Sequence, residues 1–177
     1  VEALAESGLP QIQVASFVSP KWVPQMADAA ELFAAIRKRT GTRYTALWLN
    51  EAGFDRARAV PQVDLVGSLY AYASDAYGRQ NNGRGPDEFL QDQRRWVQRY
   101  RDAGLAIESA CVMTAFGCNL EGEIGEDRLA AVLGELATLL RDEGVSCPTV
   151  YLADTVGWAN PHSVRRRVDL VRRLLLR

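Results

Sequence analysis

One histidine and three cysteines in 177 residues leave little metal or disulfide chemistry to build with. His162 stands alone, which excludes a His-x-His metal pair by count. Cys111, Cys118 and Cys147 contain no CxxC spacing and no even set, so free thiols in a reducing, cytoplasmic setting are expected. Neither sign of charge dominates. A net charge of −1 supplies no global attraction to nucleic acid or to an anionic membrane, and neither is expected as a partner. No apolar run approaches the roughly 18 residues of a membrane span, and no secretory leader is expected. The glycines form no GxGxxG and no P-loop, so a nucleotide-binding open sheet lacks its signature.

What remains is ordinary globular composition, with 47% apolar and 24% charged residues. The length suits one domain over residues 1–177 with a real core. Strand and helix patterns alternate along it. Strand 11–17 precedes a helix over 27–39, where Ala30, Leu32, Phe33 and Ile36 share a face. Strand 43–50 precedes a short helix near 52–59. Strand 63–71 precedes a Gly/Asn-rich loop, made flexible by Gly83 and Gly85, and then a helix over 86–104. Pro86 suits that helix's first turn and Gly104 its end. Strand 105–115 precedes helix 125–144, and strand 148–155 precedes a last helix over about 161–176. Repeated βα units imply an α/β fold with a parallel sheet. Five units fit either an open doubly wound sheet or part of a (β/α)8 barrel, which in full takes about 250 residues.

Polar residues gather at the C-terminal ends of these strands, where parallel α/β folds bind ligands. They are Gln13, Ser16, Asn50, Ser74, Asn81, Thr114, Cys118, Asp154 and Thr155. Trp22 with Pro20 and Pro24 suggests a shaped pocket wall, and Lys21 beside them is either a contact for an anionic substrate or a solvated cation. Asp154 closes the apolar strand YLAD. A carboxylate there is desolvated, and serves as a tuned acid or base or as a cap for the next turn. Gln13 is either a buried amide or a residue of altered chemistry, since an amide cannot accept a proton as a carboxylate does. Cys118 lines a ligand path or is an inert small hydrophobe. Glu121 and Glu123 are expected to cap the helix that starts near 125. In the last helix Val164, Val168, Val171 and Leu175 form an apolar stripe, so its six arginines read as a solvated face.

Three stretches, IQVASFVSPKWVPQM at 12–26, TAFGCNLEGEI at 114–124 and YLADTVGWANP at 151–161, resemble the 3-hydroxy-3-methylglutaryl-CoA lyase family in order and separation. The resemblance implies an incomplete (β/α)8 barrel containing that family's strands two to six, with residues 1–9 as the end of the first helix. It implies a carbon–carbon lyase that cleaves a 3-hydroxyacyl-CoA by a retro-Claisen step, with a place in leucine degradation. Asp154 matches the aspartate of the family's LGDT motif, and Gln13 stands where the family usually has a catalytic glutamate. Ser16 and Lys21 match the loop after the second strand. Ser74, Asp75 and Asn81 match the SExFxxxN loop, and Cys118 matches a cysteine of the fifth-strand loop. Asn50, Thr114 and Thr155 complete the expected substrate-binding set. The family uses a divalent cation, magnesium or manganese. Its ligands, an aspartate after strand one, a His-x-His pair and a later asparagine, have no counterparts in these residues. The alternative is a truncated, inactive relative that binds acyl-CoA or a partner. Two unpaired strand edges also imply association of copies into a homo-oligomer.

Overall fold

Parallel strands cannot be joined by a tight turn, so each needs a crossover element, and this sequence provides a helix after every strand run. The computed structural model describes residues 1–147 and 149–175. Pro148 of the last predicted strand, and Leu176 and Arg177 of the last predicted helix, lie outside the described residues. The chain divides into two compact units, Val1–Val66 and Gly67 onward.

The first unit contains α1 (Glu2–Glu6), β1 (Gln11–Ser16), a 3-10 turn (Pro24–Met26), α2 (Ala29–Ala35), β2 (Arg43–Leu47) and α3 (Glu51–Arg58). β1 and β2 pair in parallel, with Gln11 opposite Arg43 and Ser16 opposite Leu47. The register slips between Gln13 and Ala15, as in a β-bulge. A regular strand alternates its faces. The bulge breaks that parity, so Ile12 and Ala15 are both buried and Gln13 between them is exposed. The buried-amide reading of Gln13 is thereby corrected.

Phe17 stacks on Phe33 of α2 at 5.9 Å between ring centroids. That contact selects Ala29, Phe33 and Ile36 as the buried face, while the expected Ala30 and Leu32 are exposed. Asp64 ties the C-terminal segment down. Its carboxylate accepts the Tyr44 N–H at 2.7 Å and the Lys38 ammonium at 2.5 Å.

The second unit contains β3 (Gly67–Tyr72), α4 (Asp75–Asn82), α5 (Pro86–Asp102), β4 (Ile107–Met113), β5 (Gly117–Cys118), β6 (Gly122–Glu123), α6 (Glu126–Asp142), β7 (Thr149–Leu152) and α7 (Pro161–Leu175). β3, β4 and β7 form a parallel sheet in that order, and β5 and β6 form a small antiparallel hairpin. Leu129, Val132, Leu133, Leu136 and Leu139 of α6 are buried at helical spacing. Leu69, Ala110 and Val112 of the sheet and Val97 and Tyr100 of α5 are buried as well.

All five expected βα units are present, and three further local expectations are corrected. Residues 75–82 are a helix, not a loop: Ser74 caps its start and Gly83, at φ +73°, ends it. Glu121 and Glu123 do not cap α6, whose first turn carries Glu126 and Asp127 instead. The arginines of α7 are not all solvated. Arg167 and Leu170 are the buried residues of that helix, while Val164 and Val168 of the expected stripe are exposed.

Burial pushes the Cys111 thiol on β4 up from its ordinary 9.0 to about 11. The folded state therefore keeps this proton where the unfolded chain has already lost it. The contribution is complete below pH 9.0 and disappears as pH rises toward about 11. We expect a loss of about 2 kcal/mol over that window, discounted for partial exposure. Urea unfolding of wild type and Cys111→Val across the window measures it. Equal loss in both proteins would show that Cys111 contributes nothing.

Candidate active site

Backbone polar groups that leave a ladder at a strand end need new partners. In the second unit four of the expected site side chains supply them. Ser74 follows β3, and its Oγ accepts the Tyr77 N–H at 3.0 Å. The Ser74 N–H donates to Thr114 Oγ1 at 3.0 Å. The Thr114 hydroxyl donates to the Met113 carbonyl at 2.6 Å, and its N–H donates to Thr155 Oγ1 at 2.7 Å. The Cys118 thiol donates to Ser74 Oγ at 3.1 Å and accepts the Glu121 N–H at 3.4 Å. A continuous run of hydrogen bonds thus crosses the loops after β3, β4 and β7. Ser74, Thr114 and Cys118 are 0% exposed, so their polar atoms face one another and the backbone rather than solvent.

Thr114 is the one non-glycine residue among those described with a positive φ, +54°. A β-branched residue is disfavoured there, at a cost of about 1–3 kcal/mol. Its hydrogen bonds hold it in place.

Asp154 lies beside Thr155 in the loop after β7. Contrary to the expectation of a desolvated carboxylate, it is exposed. The capping role is present: Oδ1 accepts the Trp158 N–H at 2.7 Å. Trp158 in turn donates its indole N–H to Asn119 Oδ1 at 3.0 Å. Its ring lies over Gly117, where an added Cβ would meet it at 2.8 Å. The tryptophan therefore fastens the Asp154 turn to the β5–β6 hairpin. No local pattern in the sequence joins Trp158 to Gly117 or to Asn119, the latter 39 residues away along the chain.

The remaining residues of that unit have defined partners. Asn81 donates to the Tyr72 hydroxyl at 2.8 Å. Asp75 pairs with Arg128 at 2.5 Å, and Arg128 also donates to the Ala73 carbonyl at 3.1 Å. Glu121 accepts the Ala76 N–H at 3.4 Å.

In the first unit Gln13 and Ser16 lie on β1, Gln13 exposed and Ser16 half-buried. Lys21 sits 5.7 Å from the centroid of the Trp22 ring, and Trp22 is 79% exposed. Asn50 caps α3, its Oδ1 accepting the Gly53 N–H at 2.9 Å. A cap uses the acceptor of this amide and leaves its NH2 donors for other partners.

The family resemblance implies a divalent cation, and the residues present do not form a site for it. Among the described residues no group of three or more His, Cys, Asp or Glu could hold a metal ion. No helix among them is long and apolar enough to cross a membrane.

Parallel βα units with polar side chains gathered in their strand-end loops define a protein of the α/β class. The chain belongs to the HMGL-like family, whose model matches residues 1–176. It is 33% identical over 173 residues to the mitochondrial hydroxymethylglutaryl-CoA lyase of Bos taurus, covering 97% of this chain and 50% of that protein. It is 34% identical to the 3-hydroxy-3-isohexenylglutaryl-CoA/hydroxymethylglutaryl-CoA lyase of Pseudomonas aeruginosa, covering 97% of this chain and 54% of that protein. Among solved structures, the HMG-CoA lyase of Brucella melitensis superposes with a TM-score of 0.81 at 31% identity, over 97% of this chain and 57% of that one. An HMG-CoA lyase of Acinetobacter baumannii, solved with coenzyme A and 3-methylmalate, gives 0.79 at 29% identity, over 97% of this chain and 53% of that one. The chain spans about half the length of the curated relatives it matches. Its fold class is α/β, that of an incomplete (β/α)8 barrel.

Proposed function

We propose that this chain is part of a hydroxymethylglutaryl-CoA lyase-like carbon–carbon lyase. The observation that carries the reading is lyase similarity of 33% and 34% along nearly the whole chain. On this reading residues 1–177 form one partial-barrel domain, supported by the family match over 1–176. The substrate is a 3-hydroxyacyl-CoA, and the solved relative with coenzyme A supports that class.

The reaction is a retro-Claisen cleavage. A base takes the C3 hydroxyl proton, and the C3–O bond becomes a carbonyl. The C2–C3 bond breaks with its electron pair going to C2, which leaves as the acetyl-CoA enolate and is then protonated. The other product is a keto acid. Asp154 is the group of this chain we assign beside the reacting hydroxyl, being a carboxylate exposed at a strand end and oriented by Trp158. Gln13 occupies the position of the family's glutamate and contributes hydrogen bonds without accepting the proton. Ser16, Lys21, Asn50, Asn81 and Thr155 are assigned to substrate binding, and Ser74, Thr114 and Cys118 to the buried frame of the second unit's strand-end loops. A magnesium or manganese ion belongs to the reading, and its ligands are not among these residues. The reading also includes self-association, a place in leucine degradation and a cytoplasmic setting. The three free thiols support that setting.

The test is release of acetyl-CoA from 3-hydroxy-3-methylglutaryl-CoA with added magnesium, in the protein as isolated. Turnover that falls about 100-fold or more in Asp154→Asn supports the assignment. Coenzyme A binding without turnover would make this chain a binding relative, and neither binding nor turnover would sink the lyase reading.

A further inference from the structure

Thr114 combines features that are each unfavourable unless they serve something. It is β-branched, it holds a left-handed backbone at φ +54°, and it is wholly buried. Glycine would remove the strain at no steric cost. Glycine would also remove the hydroxyl, which is the acceptor for the Ser74 N–H at 3.0 Å. Water does not reach this position to replace it. The amide of the same residue meets Thr155 Oγ1 at 2.7 Å. One residue thus grips the loops on either side of its own: through its side chain the start of α4, and through its backbone the turn that carries Asp154. Backbone strain of this kind persists only where the surroundings over-determine it, and it clusters at functional sites. Here the three hydrogen bonds do.

We infer that Thr114 is a positioning residue for the Asp154 carboxylate, acting through Thr155. This rests on the proposed lyase reading for its catalytic consequence, and on the geometry alone for its structural one. The path is short. Thr155 Oγ1 is fixed by the Thr114 amide, Asp154 is its neighbour in sequence, and the Asp154 carboxylate is aimed by its 2.7 Å bond from the Trp158 N–H. Loss of the Thr114 grip frees the 154–158 turn to move relative to the sheet. A displacement of about 1 Å in a reacting group costs on the order of 100-fold in rate. Because Thr114 is wholly buried, the cost is expected on kcat and not on KM.

The test compares Thr114→Val, which keeps the amide that meets Thr155 but removes the hydroxyl whose bonds to Ser74 and Met113 hold that amide at φ +54°, with Thr114→Ser, which keeps the hydroxyl. Thr155→Val removes the acceptor of the Thr114 amide and serves if Thr114→Val does not fold. Two readouts are taken on the protein as isolated. The first is the backbone amide proton resonance of Trp158, which reports its bond to the Asp154 carboxylate without any need for turnover. It is expected to move upfield in both valine variants and to return in Thr114→Ser. The second is kcat and KM with 3-hydroxy-3-methylglutaryl-CoA and magnesium. A kcat lowered about 10- to 100-fold at KM within a factor of two is expected in Thr114→Val, with Thr114→Ser near wild type; Thr155→Val is read by the Trp158 resonance alone. An unmoved Trp158 resonance in folded valine variants overturns the proposal, whatever the kinetics. A resonance that moves in the valine variants, with no turnover even in wild type, retains the positioning role and removes the lyase reading instead.

Discussion

Arg167→Ala is expected to destabilise the protein by about 3–4 kcal/mol, and Arg167→Met by about 1–2 kcal/mol. The residue is 3% exposed on α7. Its Nη2 donates to the Ile124 carbonyl at 2.5 Å, and its guanidinium lies 5.0 Å from the centroid of the Phe116 ring. The ion pair with Glu123 is long, at 3.7 Å, and that glutamate's side chain is 75% exposed, so it contributes little. Two terms decide the sign. Removing the guanidinium strands a carbonyl on the buried residue Ile124, at about 1–3 kcal/mol. It also forfeits a desolvated cation–π contact of about 1–2 kcal/mol.

Opposing both is the penalty for burying a charge, made worse by an Nε that has no hydrogen-bond partner. Methionine keeps most of the volume and removes that penalty, hence its smaller cost. Alanine adds a cavity. Urea unfolding at constant m-value measures each change. A methionine variant as stable as wild type would mean that the hydrogen bond and ring contact merely cancel the burial cost.

Gly53→Ala is expected to destabilise by about 2–3 kcal/mol, against the usual helix preference. Inside a helix, alanine is favoured over glycine by about 1 kcal/mol. At Gly53, however, an added Cβ would lie 2.3 Å from the Phe17 carbonyl oxygen. Backbone of this kind cannot turn away as a flexible side chain can. Phe17 is further restrained by its N–H bond to the Leu47 carbonyl at 2.7 Å and by Arg56, which donates to its oxygen at 3.0 Å. The whole of α3 must shift, and with it the Asn50 cap. Gly134→Ala on α6 is the matched control. An added Cβ there meets nothing within 4 Å, so the same substitution should stabilise by about 0.5–1 kcal/mol. Opposite signs in thermal or urea unfolding are the expected result, and equal signs would refute the steric account.

These two positions show where sequence reasoning stops. The period of apolar residues made α5 and α6 legible, with Pro86 and Gly104 bounding the first of them. α4 is short and polar and so carries no apolar period, although Ser74 before Asp75 and Gly83 after Asn82 are start and stop signals. The apolar period places α7 but not its buried face. Pattern rules send arginine to solvent, whereas a long side chain can bury its stem and find a carbonyl and a ring to meet its head. The face of Gln13 is set by a bulge, which changes which side a strand residue occupies and leaves no mark in the pattern of residue types.

The candidate site divides in the same way. Its residues could be picked out because strand-end polar groups are conspicuous in an apolar sequence, and the lyase resemblance rests on contiguous stretches such as SFVSPKWVPQM. Their roles could not be assigned. Ser74, Thr114 and Cys118 are brought together from the ends of β3 and β4, and only that proximity reveals that their hydrogen-bonding capacity is spent on one another. By itself the sequence determined the order of strands and helices, the family, and the positions of polar residues along the chain, because these depend on local spacing and residue type. Tertiary structure alone decided that Arg167 is buried, that Thr114 is strained and that Trp158 fastens the Asp154 turn to Gly117 and Asn119, because each depends on which distant groups a residue meets.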